Sequence, residues 1–402
     1  MWLFLGVLPF ALAVSLKSPA NTLLQSSRDP FPFSPGFNIS AVANLAESLP
    51  SHSWEFGTAS EALLELYNPD LSVFGSPFPF PPAPAYGFDA SEVKALVYAK
   101  SNIVIGSGAN GLSDGDGATG DPASLGVSAL MLSFSPGNSI YLQAANEEVN
   151  YLLTQAPRFA NGAISQRADV AELWADFVYM APPFLAYYAA LNNNLTLMQT
   201  VVEQLGLYRQ VLQAPLPPST SYAGVWQHII GPQNQDTGLW STGNGWAAAG
   251  MTRVLATILH SSFPKSWKNT AMNTVKEYIR EILDGAMGAP ADTNGLLRNY
   301  LNDTTWFGEI SGSSLLASVA YRMAVLFPQS FGDEYIDWAD GKRRTLGFGH
   351  VSPNGTVAPA IDPLNWGDLT PDTSGSPEGQ NFVVLLYTAW RDCVFSGLCD
   401  RD

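Results

Sequence analysis

Asp176 carries the strongest chemical signal in the chain. It sits in AELWADFVYMAPPFLAYY among Trp174, Phe177, Tyr179 and Met180. A carboxyl group packed between aromatic rings loses solvation, the condition under which it holds a proton and serves as a general acid. A helix N-terminus close by works the other way, because it favours the anion. The helical run from Val170 is expected to break before Pro182 and Pro183, since proline lacks the amide hydrogen and drives its predecessor out of the α region. Asp176 then stands just ahead of that break. A second carboxylate, Asp121, directly precedes Pro122 in SDGDGATGDPAS, near Asp114 and Asp116. Aspartate before a first-turn proline is an N-cap, yet glycosidic chemistry uses two carboxylates with separate roles. Asp121 therefore reads equally as a cap and as the partner of Asp176. The acidic Gly-rich run lacks the terminal Glu of the twelve-residue calcium loop. The four histidines show no ligand spacing. No metal and no cofactor is expected.

A third turn, GVWQHIIGPQNQDTGLWSTGNGW, holds Trp226, His228, Trp240, Asn244 and Trp246. Tryptophan combines an apolar face with a polar edge, so this concentration suggests a wall on which sugar rings stack. Gly243 and Gly245 allow a tight path and Asn244 can cap the helix that follows. Two more turns, WFGEISGSS and SGSPEGQN, carry Glu309 and Glu378. Capping accounts for both.

The elements that place these turns recur. Six apolar or small-residue stretches begin near Thr58, Ser124, Pro183, Trp246, Ser314 and Asn381, at steps of 59 to 68 residues. WAAAGMTRVLATIL (246–259) is apolar nearly all round and suits a helix enclosed by protein. Between the stretches lie amphipathic helices, as at 197–212, where Met198, Val201, Leu205, Tyr208 and Leu212 share one face. An inner helix followed by an outer one, six times over, gives an all-α (α/α)6 toroid of six helical hairpins. The polar turns precede the inner helices, so their side chains gather at one end of the ring.

With 19 basic and 35 acidic residues the net charge is −16, which argues against a nucleic-acid partner. MWLFLGVLPFALAVS reads as a signal peptide covering 1–13, too short to span a bilayer. The remainder, 14–402, reads as a single catalytic domain with a Pro-rich surface loop at 75–88. Sequons at Asn38, Asn194, Asn302 and Asn354 fit a secreted, extracellular glycoprotein without membrane attachment after cleavage. In an oxidising compartment Cys393 and Cys399 would close a small loop.

Taken together these turns resemble the unsaturated uronyl hydrolases, glycoside hydrolase families 88 and 105. WADFVYMAPPF is similar to the block around their catalytic Asp, W-x-D-x-x-x-M, over Trp174, Asp176 and Met180. LWSTGNGWAAAGM is similar to W-x-R-G-N-G-W, over Trp240, Gly243, Asn244 and Trp246. His228 and the Glu309 turn also have counterparts, and the family's second aspartate falls on Asp121. Thr242 stands where the family usually has Arg, and Gln166 about where many members carry His; Arg167 and Arg253 are candidates for the missing charge. The resemblance implies hydration of the 4,5-double bond of a terminal unsaturated uronate on a lyase-generated oligosaccharide. Asp176 would be acid and base, and Asp121 would orient substrate or water. Trp174, Trp240 and Trp246 would stack on sugar rings, with His228, Asn244, Arg167 and Glu309 completing the substrate contacts. Two other readings remain open: an inverting glycosidase acting on a saturated polysaccharide, and an inactive carbohydrate-binding relative.

Overall fold

The computed structural model describes residues 31–75 and 89–401. The expected signal peptide and residues 76–88 of the Pro-rich loop lie outside the described residues.

Twelve α-helices are described: α1 (Ile39–Ser48), α2 (Ser53–Tyr67), α3 (Lys94–Asn102), α4 (Gly126–Leu132), α5 (Ser139–Thr154), α6 (Phe177–Leu191), α7 (Leu195–Leu212), α8 (Ser241–His260), α9 (Lys265–Gly288), α10 (Ile310–Leu326), α11 (Asp333–Gly347) and α12 (Pro377–Phe395). The even-numbered helices form the inner ring, α4 being lengthened by the 3₁₀ turn Asp121–Leu125, and α12 returns against α2 to close it. The odd-numbered helices make the outer layer. This is an (α/α)6 toroid. The two layers differ as their sequences do. Every residue of α8 from Ser241 to Ile258 is buried, whereas α9 buries mainly the Ala271, Val275, Ile279, Ile282 stripe, spaced at three to four residues. The sixth outer position departs from a strict inner-then-outer order. It is filled by α1, which precedes the first inner helix and packs on α12. Gln380 Nε2 donates to the Val42 carbonyl at 3.4 Å and Asn381 Nδ2 to that of Ala46 at 3.1 Å.

The expected break at Pro182 and Pro183 does not occur: both lie inside α6. Pro182 has no amide hydrogen for the Val178 carbonyl one turn back, so that carbonyl is freed. It is received by α8 at Gly250, where a Cβ would stand 2.1 Å from the Val178 oxygen. Glycine lets the two backbones meet, and the enclosing ring holds α6 together in place of the missing bond. The helix thus starts at Phe177, with Asp176 at its N-terminal flank. Cys393 and Cys399 form a disulfide at the end of α12.

Candidate active site

The N-terminal ends of the inner helices open on a cavity of about 160 Å³. Its wall includes Trp54, Asp121, Gln166, Arg167, Trp174, Asp176, Met180, His228, Trp240, Trp366 and Glu378. A larger groove of about 920 Å³ lies on the outer surface between α3 and the α4–α5 turn. It gathers no histidine and only one carboxylate, so the smaller cavity is the place where chemistry converges.

Asp176 is positioned by backbone as much as by its helix. The two-residue strand β1 (Leu173–Trp174) pairs antiparallel with β2 (Ile229–Ile230), and the Ala175 amide donates to the His228 carbonyl at 2.9 Å. These bonds tie the Asp176 turn to the His228 turn. His228 Nε2 consequently lies 3.4 Å from Asp176 Oδ2, within ion-pair reach, although neither atom has a hydrogen-bond partner within the protein. On its other side His228 Nδ1 lies 3.0 Å from Asp236 Oδ2, which also accepts from Tyr300 Oη at 2.6 Å. Burial opposes a charge on the imidazole, but the Asp176 and Asp236 carboxylates together raise its pKa above the ordinary histidine value. Burial also opposes the Asp236 anion; bonds from His228 and Tyr300 outweigh it and lower that pKa.

Asp121 opens the 3₁₀ turn ahead of α4 and makes no capping bond. It faces the cavity and accepts from Gln166 Nε2 at 2.7 Å. Loss of solvation and, more weakly, the Asp176 charge raise its pKa to about 7, against the pull of the Gln166 bond. Of the two readings left open by the sequence, the structure shows the cavity-facing one. Gln166, noted as a departure from the family pattern, supplies the amide that orients this carboxyl group.

The aromatic wall is partly the expected one. Trp174 lines the cavity and anchors its Nε1 on Glu172 at 2.7 Å. Trp240 stacks obliquely on His228 with ring centroids 4.3 Å apart and donates to Asn299. Arg167 lines the cavity as well. Four other expectations are corrected. Trp246 points into the ring, packed between Tyr179 and Phe382, because it lies a turn and a half into α8 rather than at its start. Asn244 binds the Trp226 amide and the Trp226 and Trp240 carbonyls, which fixes the turn but leaves no atom for a ligand. Glu309 caps α10 through the Ser311 and Gly312 amides, accepts from Thr242, and is absent from the cavity wall. Arg253 pairs with Glu61 at 2.9 Å deep in the ring, so it supplies no charge to the mouth.

Sequence reasoning missed Trp54, Trp366 and Asp236 as site residues. Trp366 meets both Trp174 and His228 edge to face, at 5.5 and 5.1 Å. It comes from the long α11–α12 connection, where no periodicity marks it. Asp236 was legible only as part of the NQDTG turn, a composition that normally signals a plain loop.

The model of Glycosyl Hydrolase Family 88 matches residues 118–326, slightly more than half the chain. The chain belongs to this family. The match takes in Asp121, Asp176 and the His228 turn, and stops short of Trp366 and Glu378. The unsaturated rhamnogalacturonyl hydrolase YesR of Bacillus subtilis is 28% identical over 213 residues, a stretch covering 51% of this chain and 58% of that relative. The family member's fold is shared with a family 105 glycoside hydrolase from C. acetobutylicum, at 13% identity and a TM-score of 0.65 over 87% of this chain and 98% of that one. A family 88 hydrolase from Bacteroides vulgatus is similar in fold at 14% identity, TM-score 0.64, over 88% and 97%.

Proposed function

We propose that the protein removes a terminal 4,5-unsaturated uronic acid from lyase-generated oligosaccharides by hydrating its double bond. The observation that carries this reading is the Asp176 carboxylate, with one oxygen unpartnered beside His228 in a cavity whose wall also carries Trp174 and Trp366. In the reaction Asp176 delivers its proton to C4 of the alkene. Water adds at C5, and its proton returns to the Asp176 carboxylate, so that H and OH are added across the bond and the acid is regenerated. The C5 hemiketal opens to a ketone, leaving a hemiacetal at C1 that expels the neighbouring sugar. His228, held by Asp236 and Tyr300, presents Nε2 toward Asp176 and fixes the carboxylate against the sugar. Asp121, held by Gln166, faces the same space and orients the water or a hydroxyl. Relatedness to a rhamnogalacturonyl hydrolase supports an unsaturated galacturonyl residue linked to rhamnose as the substrate class.

We also place the protein outside the cell. All four sequon asparagines are exposed, and the two cysteines are bridged.

Ordinary inverting hydrolysis is favoured by one observation: Asp121, with its pKa near 7, is a carboxyl group able to act as the acid of a pair with Asp176. One assay separates the two. A panel of lyase-generated and saturated oligosaccharides is followed by the ultraviolet absorbance of the conjugated double bond and by product analysis. Hydration destroys the absorbance and leaves saturated sugars intact. Cleavage of saturated sugars with the chromophore retained would sink the hydratase reading.

A further inference from the structure

Glu378 lies in the first turn of α12, where sequence composition explains it as a cap. The structure removes that explanation, because Ser376 caps the helix by accepting from the Gly379 amide and the Glu378 side chain bonds no backbone group. Its Oε1 instead accepts from Trp54 Nε1 at 3.0 Å. Its Oε2 is buried, lies in the cavity wall and has no partner within the protein. A buried polar atom without a partner costs free energy unless a ligand meets it. The charged groups that act on Glu378 are all acidic: Asp176 at the N-terminal flank of α6, Glu55 from α2, and Glu309 at the N-cap of α10. Loss of solvation, with these charges added, pushes its pKa well above the carboxylate range. The cations at the cavity, Arg167 and His228, make no bond to it.

We propose that Glu378 binds the substrate: its carboxyl group, held through Oε1 by Trp54, donates a hydrogen bond from Oε2 to the carboxylate of the bound uronate. This rests on the uronate reading above and deepens it. An anionic sugar entering a cavity that also holds Asp116, Asp121 and Asp176 would meet repulsion. Among the described residues, Arg167 is the sole guanidinium in that wall. A neutral acid there turns a repelling group into a donor, and a hydrogen bond to an ionised acceptor is of the stronger kind.

The test uses calorimetric titration of a lyase-generated unsaturated uronyl disaccharide, and of its uronate methyl ester, into Asp176→Asn protein. Glu378 is then left native or replaced as Glu378→Gln, Glu378→Met or Glu378→Asp. Glutamine keeps an acceptor for Trp54 and a donor for the ligand, so affinity for the acid is expected to stay within about threefold. Methionine removes the donor and is expected to weaken the acid about 10- to 100-fold while leaving the ester within about threefold. Aspartate keeps the acid but retracts it by one methylene, and a loss of intermediate size is expected; it decides the matter should the Met variant fail to fold. Unchanged acid affinity in the Met and Asp variants overturns the proposal. So does equal weakening of acid and ester, or a large loss in the Gln variant. Turnover of the same disaccharide by protein with native Asp176 is read separately. Binding that depends on Glu378 without any loss of the chromophore supports the donor role and defeats the hydratase reading.

Discussion

The two halves of the inner ring bury carboxylates in opposite ways. Around the C-terminal halves of α2, α8, α10 and α12, each acid has a guanidinium: Glu61 with Arg253 at 2.9 Å, Glu65 with Arg322 at 2.6 Å, and Asp392 with Arg322 and Arg391. Thr388 Oγ1 donates to the Glu65 carboxylate, and the Glu65 and Leu66 carbonyls accept from Arg391. The space among these groups is only about 20 Å³. At the N-terminal mouth, Asp121, Asp176 and Glu378 share a cavity eight times larger and form no bond to an arginine among them. Burial is similar; pairing is not. Charges that are paired hold the ring closed, whereas Asp121 and Glu378, bonded to no cation, have pKa values raised toward carrying a proton.

This contrast can be broken by substitution. Asp176→Asn is expected to lower kcat about 10²- to 10⁴-fold while the thermal midpoint stays within a few degrees. A midpoint collapse would mean that the mouth is structural. Arg322→Met should do the reverse, because it strands Glu65 in the interior and leaves Asp392 with Arg391 alone. Denaturant unfolding is expected to show a loss of about 3–5 kcal/mol, with activity per folded molecule retained.

Asp121→Asn sharpens the contrast through pH. The folded-state pKa of Asp121, about 7, lies above its ordinary 3.8. The folded protein therefore holds this proton more tightly, a stabilisation fully present below pH 3.8 and lost as pH rises toward 7. The variant lacks that loss. Its stability relative to the native protein is expected to rise by up to about 1.4 kcal/mol per pH unit across this window, measured by urea unfolding from pH 4 to 8; a flat difference would contradict the assignment. The smallest effect is expected from Glu61→Met combined with Arg253→Met. Replacing both partners by apolar groups leaves no stranded charge, so stability should remain within about 1 kcal/mol or increase. Either substitution alone should cost several times more.

The inner helices were legible because enclosure on all sides demands apolar residues all round, which WAAAGMTRVLATIL displays without reference to anything distant. Asp176, Trp174 and His228 were legible for a related reason: the first two lie beside the start of α6 and His228 lies in the turn that leads to α8, and the period places all such starts at one end. What escaped the sequence depends on long-range contact. Glu378 and Trp54 are 324 positions apart, and nothing near either one announces the other. Trp246 and Asn244 were read as ligand contacts since their turn carries the site. Helical phase, which sets one inward and ties the other to Trp226, is not visible in composition. The Pro182–Pro183 pair misled because the rule against proline describes an isolated helix. Here the freed Val178 carbonyl has Gly250 to lie against.

The pairing of α1 with α12 has a consequence for synthesis. Helix α1 is made long before α12, on which it has its chief contacts, so Val42, Ala43 and Ala46, all buried in the finished ring, wait uncovered while the sectors between them assemble. Closure is then a single late event joining residues more than 300 positions apart. Contacts so distant are slow to form and leave intermediates open to aggregation. A chain halted before α12 is complete would carry a nearly finished cylinder with an unsealed seam.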